Sequence, residues 1–422
     1  MRVLVINSGS SSIKFRVTDT CVDPGMMKRE SSQSIIHGLL KQNGEQSTLE
    51  ISGRESTVFL SECTHERLED SFTWIFDSLK DIEKFENWTS FITTIEAVGH
   101  RVVHGGNRFS QSTIIDASVL QEIEQFNDLA PLHNPTCLAG IVDARTFFGH
   151  DMPMVAVFDT AYHRTLPAHA ATYAIPYELS KRHRIKRYGF HGIAHASLAS
   201  HYANHTEQSL KDQRIITLQL GNGCSMTAIA GGKSIDTTMG FSPSEGLMMG
   251  TRSGDLDPSI IGYLAKKEQV SVMGIQSWLN ERSGLLGISG DTHDMRQLLQ
   301  AARQKQDPRA RLAIDMFCYR VQKYLGAYFA VLGGVNAIIF GGGIGENASE
   351  IRSKICDGLK WAGVHLNQER NKQAVGITPG EVTKISEDAS PVAVYVIGTD
   401  EEDWIASETV RCLQAHKHKK LV

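Results

Sequence analysis

The sequence lacks both a cysteine framework and an excess of basic residues. Its seven cysteines are scattered along the chain, and no two of them stand in C-x-x-C spacing. This distribution argues against a zinc knuckle or a disulfide framework and is typical of a reducing cytosol. The 43 Lys and Arg residues are outnumbered by 47 Asp and Glu residues, which gives a formal charge of −4. We therefore expect a cytoplasmic protein that does not bind nucleic acid.

Long apolar runs are equally scarce. The opening run, residues 3–6, is far too short for a secretory signal, so we expect none. Residues 324–345 carry no charge, but this stretch of 22 residues contains seven glycines and an asparagine. Both of its halves fit soluble elements better than a membrane span, and we expect no association with a membrane.

One pattern occurs twice, half a chain length apart. Residues 3–6 and 13–17 predict two strands around a small polar turn, and the second strand alternates inward and outward side chains. Residues 215–220 and 225–229 repeat this order around a glycine turn, 212 residues further along. Hairpins of this kind are common, but the offset suggests two similar domains that each begin with a strand–turn–strand unit.

Other elements follow from apolar periodicity and from capping residues. Residues 35–51 predict a hairpin around Asn43-Gly44, and apolar residues between 68 and 79 predict a helix. Asp307-Pro308 begins a long core-facing helix that Gly333-Gly334 ends.

The segment after this long helix alternates between strand and helix. Residues 335–340 predict a buried strand, and residues 341–346 predict a loop. A capping box formed by Asn347 and Glu350 then starts another helix. Because strands alternate with helices, the chain belongs to the α/β class.

Three turns of small residues follow apolar strands, at residues 7–12, 221–223 and 341–345. Without bulky side chains, backbone N–H groups approach an anion closely, so three such turns together favour a nucleotide site. The usual nucleotide motifs are absent. Gly232-Lys233-Ser234 has Thr227 where a P-loop requires glycine, and residues 341–346 do not fit G-x-G-x-x-G. A nucleotide would therefore be held by hairpin turns, as in the actin-like ATPases.

Arginine and histidine cluster with glycine in four segments, at residues 99–106, 130–135, 187–192 and 250–254. Phosphoryl transfer spreads negative charge over the equatorial oxygens, so it needs Arg, His and metal rather than covalent chemistry. Together with a nucleotide site, these segments favour a kinase.

At these segments the chain resembles the acetate kinase family. The strings VLVINSGSSSIKF, GHRVVHGG, PLHNP, VFDTAYH, RYGFHG, LGNG, MGFSPSEGLMMGTRSGDLDP, GISGDTHDMR, FGGGIGEN and TDEE occur in that family's order between residues 3 and 402. The resemblance implies an α/β protein of two duplicated actin-like (ribonuclease H-like) domains with a nucleotide cleft between them, and a homodimer. The reaction it implies converts ATP and acetate to ADP and acetyl phosphate. We expect one domain to be divided, residues 1–158 plus 396–422, around a second at residues 159–395.

The resemblance also implies roles for individual residues. Asn7 and Glu401 would hold Mg²⁺, with Mn²⁺ as the alternative metal. Arg101 and Arg252 would bracket the carboxylate and the transferring phosphoryl. Because residues i and i+2 of a strand face the same side, we expect Val103 to point where Arg101 points and to lie beside the methyl group of acetate. His191 would stabilise the transition state. The remaining residues implied are Lys14, Gln219, Leu220, Gly221, Asn222 and Gly223 at the ATP phosphates; Asp294, Met295, Arg296, Gly343, Ile344, Gly345, Glu346 and Asn347 around the adenosine; and His133 and Asp159 as further catalytic residues.

Two features of this assignment depart from the family or stay open. Gln219 stands where the family usually has His, so it offers a hydrogen bond without a charge. Residues 291–296 allow two registers, and we align Asp294 because the GISG string then matches the family.

A carboxylate nucleophile is already ionised at neutral pH and needs no general base. We therefore expect Asp159 to orient an arginine or the metal's ligands rather than to carry protons.

Three other functions remain as alternatives. One is a propionate or other short-chain carboxylate kinase. Another is an actin-like ATPase acting as a nucleotide-driven binding module, but it leaves the Arg and His segments unexplained. A hydrolase fits least, because the chain contains no G-x-S-x-G motif.

Overall fold

The computed structural model describes residues 1–9, 12–21, 33–53, 57–64, 68–82, 92–131 and 133–421. Ser10 and Ser11 of the first predicted turn and Leu132 of the PLHNP string therefore lie outside the described residues. The chain forms two compact units. Unit 1 comprises Met1–Tyr162 and Asp400–Val422, and unit 2 comprises His163–Thr399. Each boundary lies four residues beyond the predicted domain limits of 158 and 396.

Unit 1 contains a mixed eight-stranded sheet in the order β5-β4-β3-β2-β1-β6-β8-β7. Its strands are β1 Arg2–Ser8, β2 Ser12–Asp19, β3 Gln33–Asn43, β4 Gln46–Ser52, β5 Thr57–Thr64, β6 Ala97–Val102, β7 Thr113–Ile114 and β8 Met154–Phe158. Unit 2 contains a six-stranded sheet in the order β11-β10-β9-β12-β14-β13. Its strands are β9 Arg214–Leu220, β10 Cys224–Ala230, β11 Lys233–Thr237, β12 Ala337–Gly341, β13 Val382–Lys384 and β14 Ala393–Ile397.

The two sheets share one core arrangement. In unit 1, β3, β2 and β1 pair antiparallel, and β6 and β8 then continue in parallel with β1. In unit 2, β11, β10 and β9 pair antiparallel, and β12 and β14 continue in parallel with β9. The common core confirms the duplication that the repeated strand–turn–strand pattern predicted, and the parallel strands joined through helices confirm the α/β class.

Fifteen α-helices occur among the described residues; some pack against the sheets and others against neighbouring helices. They are α1 Phe72–Ile82, α2 Ala117–Glu124, α3 Asn134–Phe148, α4 Ala168–Ala171, α5 Tyr177–Arg182, α6 Gly192–Thr206, α7 Ser259–Glu268, α8 Val272–Glu281, α9 Gly284–Ser289, α10 Met295–Gln304, α11 Pro308–Leu332, α12 Gly342–Asn347, α13 Ser349–Asp357, α14 Gln368–Gln373 and α15 Glu401–Leu421. The predicted limits of α11 are confirmed, because Asp307 is its N-cap and Gly333 ends it in the left-handed conformation. In the part of the chain that the structure describes, no helix is long and apolar enough to cross a membrane.

The last helix returns to the first strands and lies against β1, β6 and β8. Gly99 of β6 allows this packing, since a Cβ there would lie only 2.3 Å from Thr409 Oγ1 and 3.0 Å from Ile405 Cγ2. The helix thereby brings its acidic N-terminal turn to the sheet of unit 1.

Three local predictions were wrong. Residues 342–347 form helix α12 rather than a loop. The N-cap of α13 is Ala348, because both amide atoms of Asn347 are used elsewhere, by Gly343 O and Gly376 N. The turn between β3 and β4 consists of Gly44 and Glu45, one residue later than predicted, with Gly44 at φ +64°.

Candidate functional site

Three predicted site residues of unit 1 lie where parallel strands end. Asn7 belongs to β1, Arg101 to β6, and Asp159 directly follows β8. Because β1, β6 and β8 run parallel as neighbours, their carboxyl ends meet at one edge of the sheet. Asp159 continues the pairing through its own N–H, which donates to Val102 O at 2.9 Å.

Arg101 connects the other two residues. Its Nη2 donates to Asp159 Oδ2 at 2.8 Å, and its Nη1 donates to Ser8 O at 3.0 Å and to Asn7 Oδ1 at 3.4 Å. Burial opposes the positive charge, but the carboxylates of Asp159 and Glu401 outweigh it and raise the pKa of the guanidinium. Asp159 itself is only 1% exposed. This contact supports an orienting role for Asp159.

Asn7 meets the C-terminal segment across 394 residues of sequence. Its Nδ2 donates to Glu401 Oε2 and to Glu402 Oε1, both at 2.8 Å. The structure thus brings the two predicted metal ligands together and adds a second carboxylate that the sequence did not single out. The acidic residues in the first turn of α15 also complement the positive end of its helix dipole.

The donor set fits Mg²⁺ or Mn²⁺, since two carboxylates and an amide supply hard oxygen ligands. No group of three or more His, Cys, Asp or Glu side chains able to hold a metal occurs among the described residues. Mg²⁺ does not require one, because proteins commonly bind it through one or two carboxylates and the phosphates of the substrate.

A second arginine of unit 1 was missed by sequence reasoning. Arg16, on β2, donates to Asp400 Oδ1 at 2.8 Å and lies 3.6 Å from Glu402 Oε2. Burial opposes its charge, but these two carboxylates raise its pKa. Arg16 thus fixes the start of the acidic turn. The only sequence signal was that Arg16, like Lys14, occupies an outward position of an alternating strand.

The three remaining residues of unit 1 that were predicted to belong to the site lie in different surroundings. Lys14 is exposed on β2 and lies opposite Asn7 in the strand register. His133 is half-buried directly before α3. Val103 is buried, but β6 ends at Val102, so the strand alternation expected to align Val103 with Arg101 does not extend to it. The roles of these three residues stay predictions.

In unit 2, the turn between β9 and β10 lies against two cationic or hydrogen-bonding side chains. A Cβ added to Gly223 would lie 3.3 Å from His191 Cε1 and 3.4 Å from Arg252 Nη1. The imidazole and the guanidinium therefore converge on the side of Gly223 that a Cβ would occupy, and glycine permits this close approach. The Gly250 N–H donates to Asn222 O at 2.9 Å, which fastens the segment before Arg252 to the same turn.

His191 belongs to a network of buried hydrogen bonds that the sequence did not indicate. Its Nδ1 lies 2.9 Å from Ser225 Oγ, and the same hydroxyl lies 2.8 Å from His195 Nε2. His195 Nδ1 in turn lies 2.8 Å from Thr217 Oγ1. Burial, reinforced by His163 and His191, lowers the pKa of His195 well below its ordinary value, so this imidazole is neutral.

The ends of the three parallel strands of unit 2 are joined by polar side chains. Gln219 Oε1, at the end of β9, accepts a hydrogen bond from Thr399 Oγ1 at 3.1 Å. Glu346 Oε1 accepts hydrogen bonds from Gly342 N and Thr399 N, both at 2.9 Å. Gln219 and Glu346 thus hold the segments that follow β12 and β14, which is a structural use of two predicted ATP residues.

Arg352 holds the segment predicted to contact adenosine. Its Nη1 donates to Gly345 O and Glu346 O, at 2.8 and 2.9 Å. Its Nε and Nη2 donate to Asn371 and to Ala374 O at 2.7–2.8 Å. The side chain is fully buried, and burial lowers its pKa to about 10. Sequence reasoning missed Arg352 because nothing local distinguishes it from a surface arginine.

The residues predicted to surround adenosine lie on two elements, α10 and α12. Asp294 is the N-cap of α10 and pairs with Arg296, while Met295 is buried at the start of that helix. Arg296 and Asn347 line a common cavity of about 280 Å³. The structure thus brings the Asp294 segment and the end of α12 to one cavity of unit 2.

The chain is similar to known proteins over nearly its whole length. A model of the acetokinase family matches residues 2–407. Acetate kinase of Solibacter usitatus is 47% identical over 422 residues, which cover 99% of this chain and 100% of the relative. The crystal structure of Porphyromonas gingivalis acetate kinase is 37% identical, with a TM-score of 0.88 over 98% of this chain and 99% of that one. A propionate kinase structure from Francisella tularensis is 39% identical, with a TM-score of 0.84 over 96% and 98% of the two chains. These matches confirm the predicted resemblance: the chain belongs to the acetokinase family.

Proposed function

We propose that this protein is an acetate kinase that reversibly transfers the γ-phosphoryl group of ATP to acetate, giving acetyl phosphate and ADP. The observation that carries the proposal is the convergence of His191 and Arg252 on Gly223 of the turn between β9 and β10, in a chain of the acetokinase family. A glycine turn admits phosphate, and a cation beside it stabilises the charge that develops in phosphoryl transfer.

The chemistry needs one displacement. A carboxylate oxygen of acetate attacks the γ-phosphorus in line while the bond from phosphorus to the ADP oxygen breaks. Arg252 and His191 stabilise the charge on the transferring group, and Arg101 binds the carboxylate. Asp159 orients Arg101 through the 2.8 Å contact between Nη2 and Oδ2. No proton is removed from the nucleophile, because acetate is ionised at neutral pH.

Asn7 and Glu401 would hold Mg²⁺, with Glu402 beside them. When bound there, the metal would neutralise part of the charge on the β- and γ-phosphates. Lys14, Gly221 and Asn222 would contact the phosphates, and the cavity between Arg296 and Asn347 would receive the adenosine.

Hydroxylamine trapping tests the proposal. With ATP, Mg²⁺ and acetate, the wild-type protein should form acetohydroxamate, whereas an ATPase or a hydrolase would not.

The variant Glu401→Ala tests the metal assignment and should abolish this activity with folding intact. Glu408→Ala is the matched control, since Glu408 lies on the same helix and bonds to Arg411 and Ser112 instead. Near-normal turnover of Glu401→Ala at limiting Mg²⁺ would contradict the metal assignment.

A propionate kinase is the second candidate, favoured by the 39% identity with the Francisella tularensis structure. A series of kcat/KM values for acetate, propionate and butyrate decides between the two. We expect acetate to give the highest value, and a higher value for propionate would reassign the substrate within the same family.

We also propose that the protein is a cytoplasmic homodimer. Apolar side chains on α11 remain exposed at i, i+4 and i+7, namely Leu312, Met316 and Tyr319. On α7, Ile260 and Tyr263 are 41% and 62% exposed. Apolar surface of this kind is typical of interfaces between copies of a chain. Sedimentation equilibrium should give twice the mass of the chain, and Tyr319→Lys should weaken the association; a monomeric wild type would contradict it.

A further inference from the structure

Ser225 links two histidines in the core of unit 2. Its hydroxyl is fully buried on β10 and lies within hydrogen-bond distance of His191 Nδ1 and His195 Nε2, at 2.9 and 2.8 Å. His191 directly precedes α6 and His195 lies in its first turn, so both imidazoles reach the same hydroxyl from the start of that helix. Thr217 on β9 completes the chain at His195 Nδ1.

Few protons are available for the hydrogen bonds that run from Thr217 through His195 and Ser225 to His191. Ser225 has one O–H, and the neutral imidazole of His195 has one N–H. If Thr217 donates to His195 Nδ1, then His195 Nε2–H donates to Ser225 Oγ, and Ser225 O–H is left to donate to His191 Nδ1. His191 then carries its proton on Nε2. In the reverse order His191 Nδ1 donates to Ser225, and a neutral His191 has a lone pair on Nε2 instead.

The direction of these hydrogen bonds decides whether Nε2 of His191 presents an N–H or a lone pair to an anion. The Nε2 edge of the ring faces the turn, since Nε2 lies 3.5 Å from a Cβ added to Gly223. A lone pair there would repel a phosphoryl oxygen, whereas an N–H would donate to it. A doubly protonated ring would place a second positive charge close to Arg252, whose Nη1 lies 3.4 Å from the same point.

We propose that Ser225 and His195 are positioning residues that hold the His191 ring and keep its single proton on Nε2, directed at the phosphoryl group. The proposal rests on the proposed function for its catalytic consequence. His191 needs such support, because it is a non-glycine residue at φ +56° and makes no side-chain capping bond to its own helix. The Ser225 hydroxyl supplies that support at Nδ1, and this contact does not involve Nε2.

Ser225→Ala removes the bridge. We expect kcat to fall about tenfold, the effect of one lost hydrogen bond to a catalytic group, with smaller changes in KM for ATP and acetate. Ser225→Thr keeps the hydroxyl and should restore most of kcat. Thr227→Val is the matched control, since Thr227 is fully buried two residues further along β10 and bonds to Thr237 rather than to a histidine. An unchanged kcat in Ser225→Ala, or an equal loss in Thr227→Val, would overturn the proposal.

Two substitutions at His195 test whether this residue acts on His191 by donating a hydrogen bond to Ser225. Glutamine places an amide N–H near the position of Nε2 and can still donate to Ser225, whereas asparagine reaches only the position of Nδ1. We expect His195→Gln to retain about tenfold more of kcat than His195→Asn at similar thermal midpoints. Equal activity in the two variants would show that His195 does not act through Ser225.

The tautomer can be measured without any turnover. In protein labelled with ¹⁵N-histidine, the shifts of the His191 nitrogens, identified by loss of their signals in His191→Gln, should show a neutral ring with its proton on Nε2. In Ser225→Ala this preference should weaken. A neutral ring protonated on Nδ1, or a doubly protonated ring, in the wild type would overturn the proposal. If the tautomer is as expected but no acetohydroxamate forms, the proposed function fails and the positioning network stands.

Discussion

Arg101 of unit 1 and Arg252 of unit 2 are both partly buried arginines, but their surroundings differ in charge. Arg101 pairs with the carboxylate of Asp159 at 2.8 Å, and its pKa is raised. Arg252 donates to Pro243 O at 3.1 Å and lies 3.7 Å from Met249 Sδ. Burial lowers the pKa of Arg252, and no ion pair to it occurs among the described residues.

The difference separates two kinds of cationic site. The charge of Arg101 is balanced inside unit 1, so its position is fixed before any substrate binds. The charge of Arg252 is held only by neutral groups, so a bound anion would gain its full attraction in a partly desolvated site. This suits Arg101 to orienting a carboxylate and Arg252 to stabilising charge that develops during the reaction.

The largest effect should follow from removing Arg101. In Arg101→Ala, the Asp159 carboxylate stays buried without its cation, which should lower the free energy of unfolding by about 3–5 kcal/mol. Urea denaturation measures this loss. The double variant Arg101→Ala/Asp159→Asn removes the unpaired charge and should recover most of the stability but not the activity. A single variant as stable as the wild type would show that the pair is not a structural unit.

Removing Arg252 should affect catalysis instead. Arg252→Ala leaves no carboxylate unpaired, so the free energy of unfolding should change by less than about 1 kcal/mol. We expect kcat to fall by two decades or more, about 3 kcal/mol, because a cation that acts on the transition state is lost. ATP affinity, measured by calorimetry, should change far less. A variant with normal kcat and weakened nucleotide binding would refute this role.

Arg352 extends the comparison to a third buried arginine, one held by carbonyl and amide oxygens alone. Arg352→Lys keeps the charge but cannot make all of its hydrogen bonds, so we expect a loss of about 1–3 kcal/mol in stability. Because Arg352 holds Gly345 and Glu346, KM for ATP should rise more than KM for acetate. The control is Arg370→Lys, which alters an exposed pair with Asp388 and should change neither KM. Equal increases in both KM values would separate Arg352 from the nucleotide site.

Elements governed by local rules were predictable from the sequence. The strands of both strand–turn–strand units and the limits of α11 follow from side-chain alternation, helical periodicity and caps. Helix α12 was not predictable, because three of its six residues are glycine and local propensity favours a loop. Its last carbonyls are instead satisfied by Arg352, a contact that only the folded chain provides.

The candidate site divides in the same way. Asn7, Glu401 and Arg101 could be named because they lie in strings that resemble a family. Arg16, Ser225 and His195 could not, since each acts through a partner that is distant in sequence or hidden among ordinary core residues. Hydrogen-bond networks of buried polar groups depend on three-dimensional proximity, which no local pattern records.

The smallest effect should be a change in substrate size preference at Val103, and it tests whether Arg101 is the arginine that binds the carboxylate. If it is, and if the Val103 side chain faces the same way although β6 ends at Val102, the methyl group of acetate lies near Val103 in a small apolar pocket. The extra methylene of propionate in such a pocket is worth about 1–3 kcal/mol, or roughly 10–200-fold. We expect Val103→Ala to narrow the ratio of kcat/KM for acetate to that for propionate, mainly by improving propionate.

Val102→Ala is the matched control for this change. Val102 is the last residue of β6 and is also fully buried, so its truncation removes the same two methyl groups one position away. Both variants should lose stability, because each leaves a cavity. Only Val103→Ala should change the ratio of kcat/KM for acetate to that for propionate. If thermal midpoints fall in both variants while the ratio stays constant in both, Val103 is a core residue, and the carboxylate assigned to Arg101 must bind with its methyl group directed elsewhere.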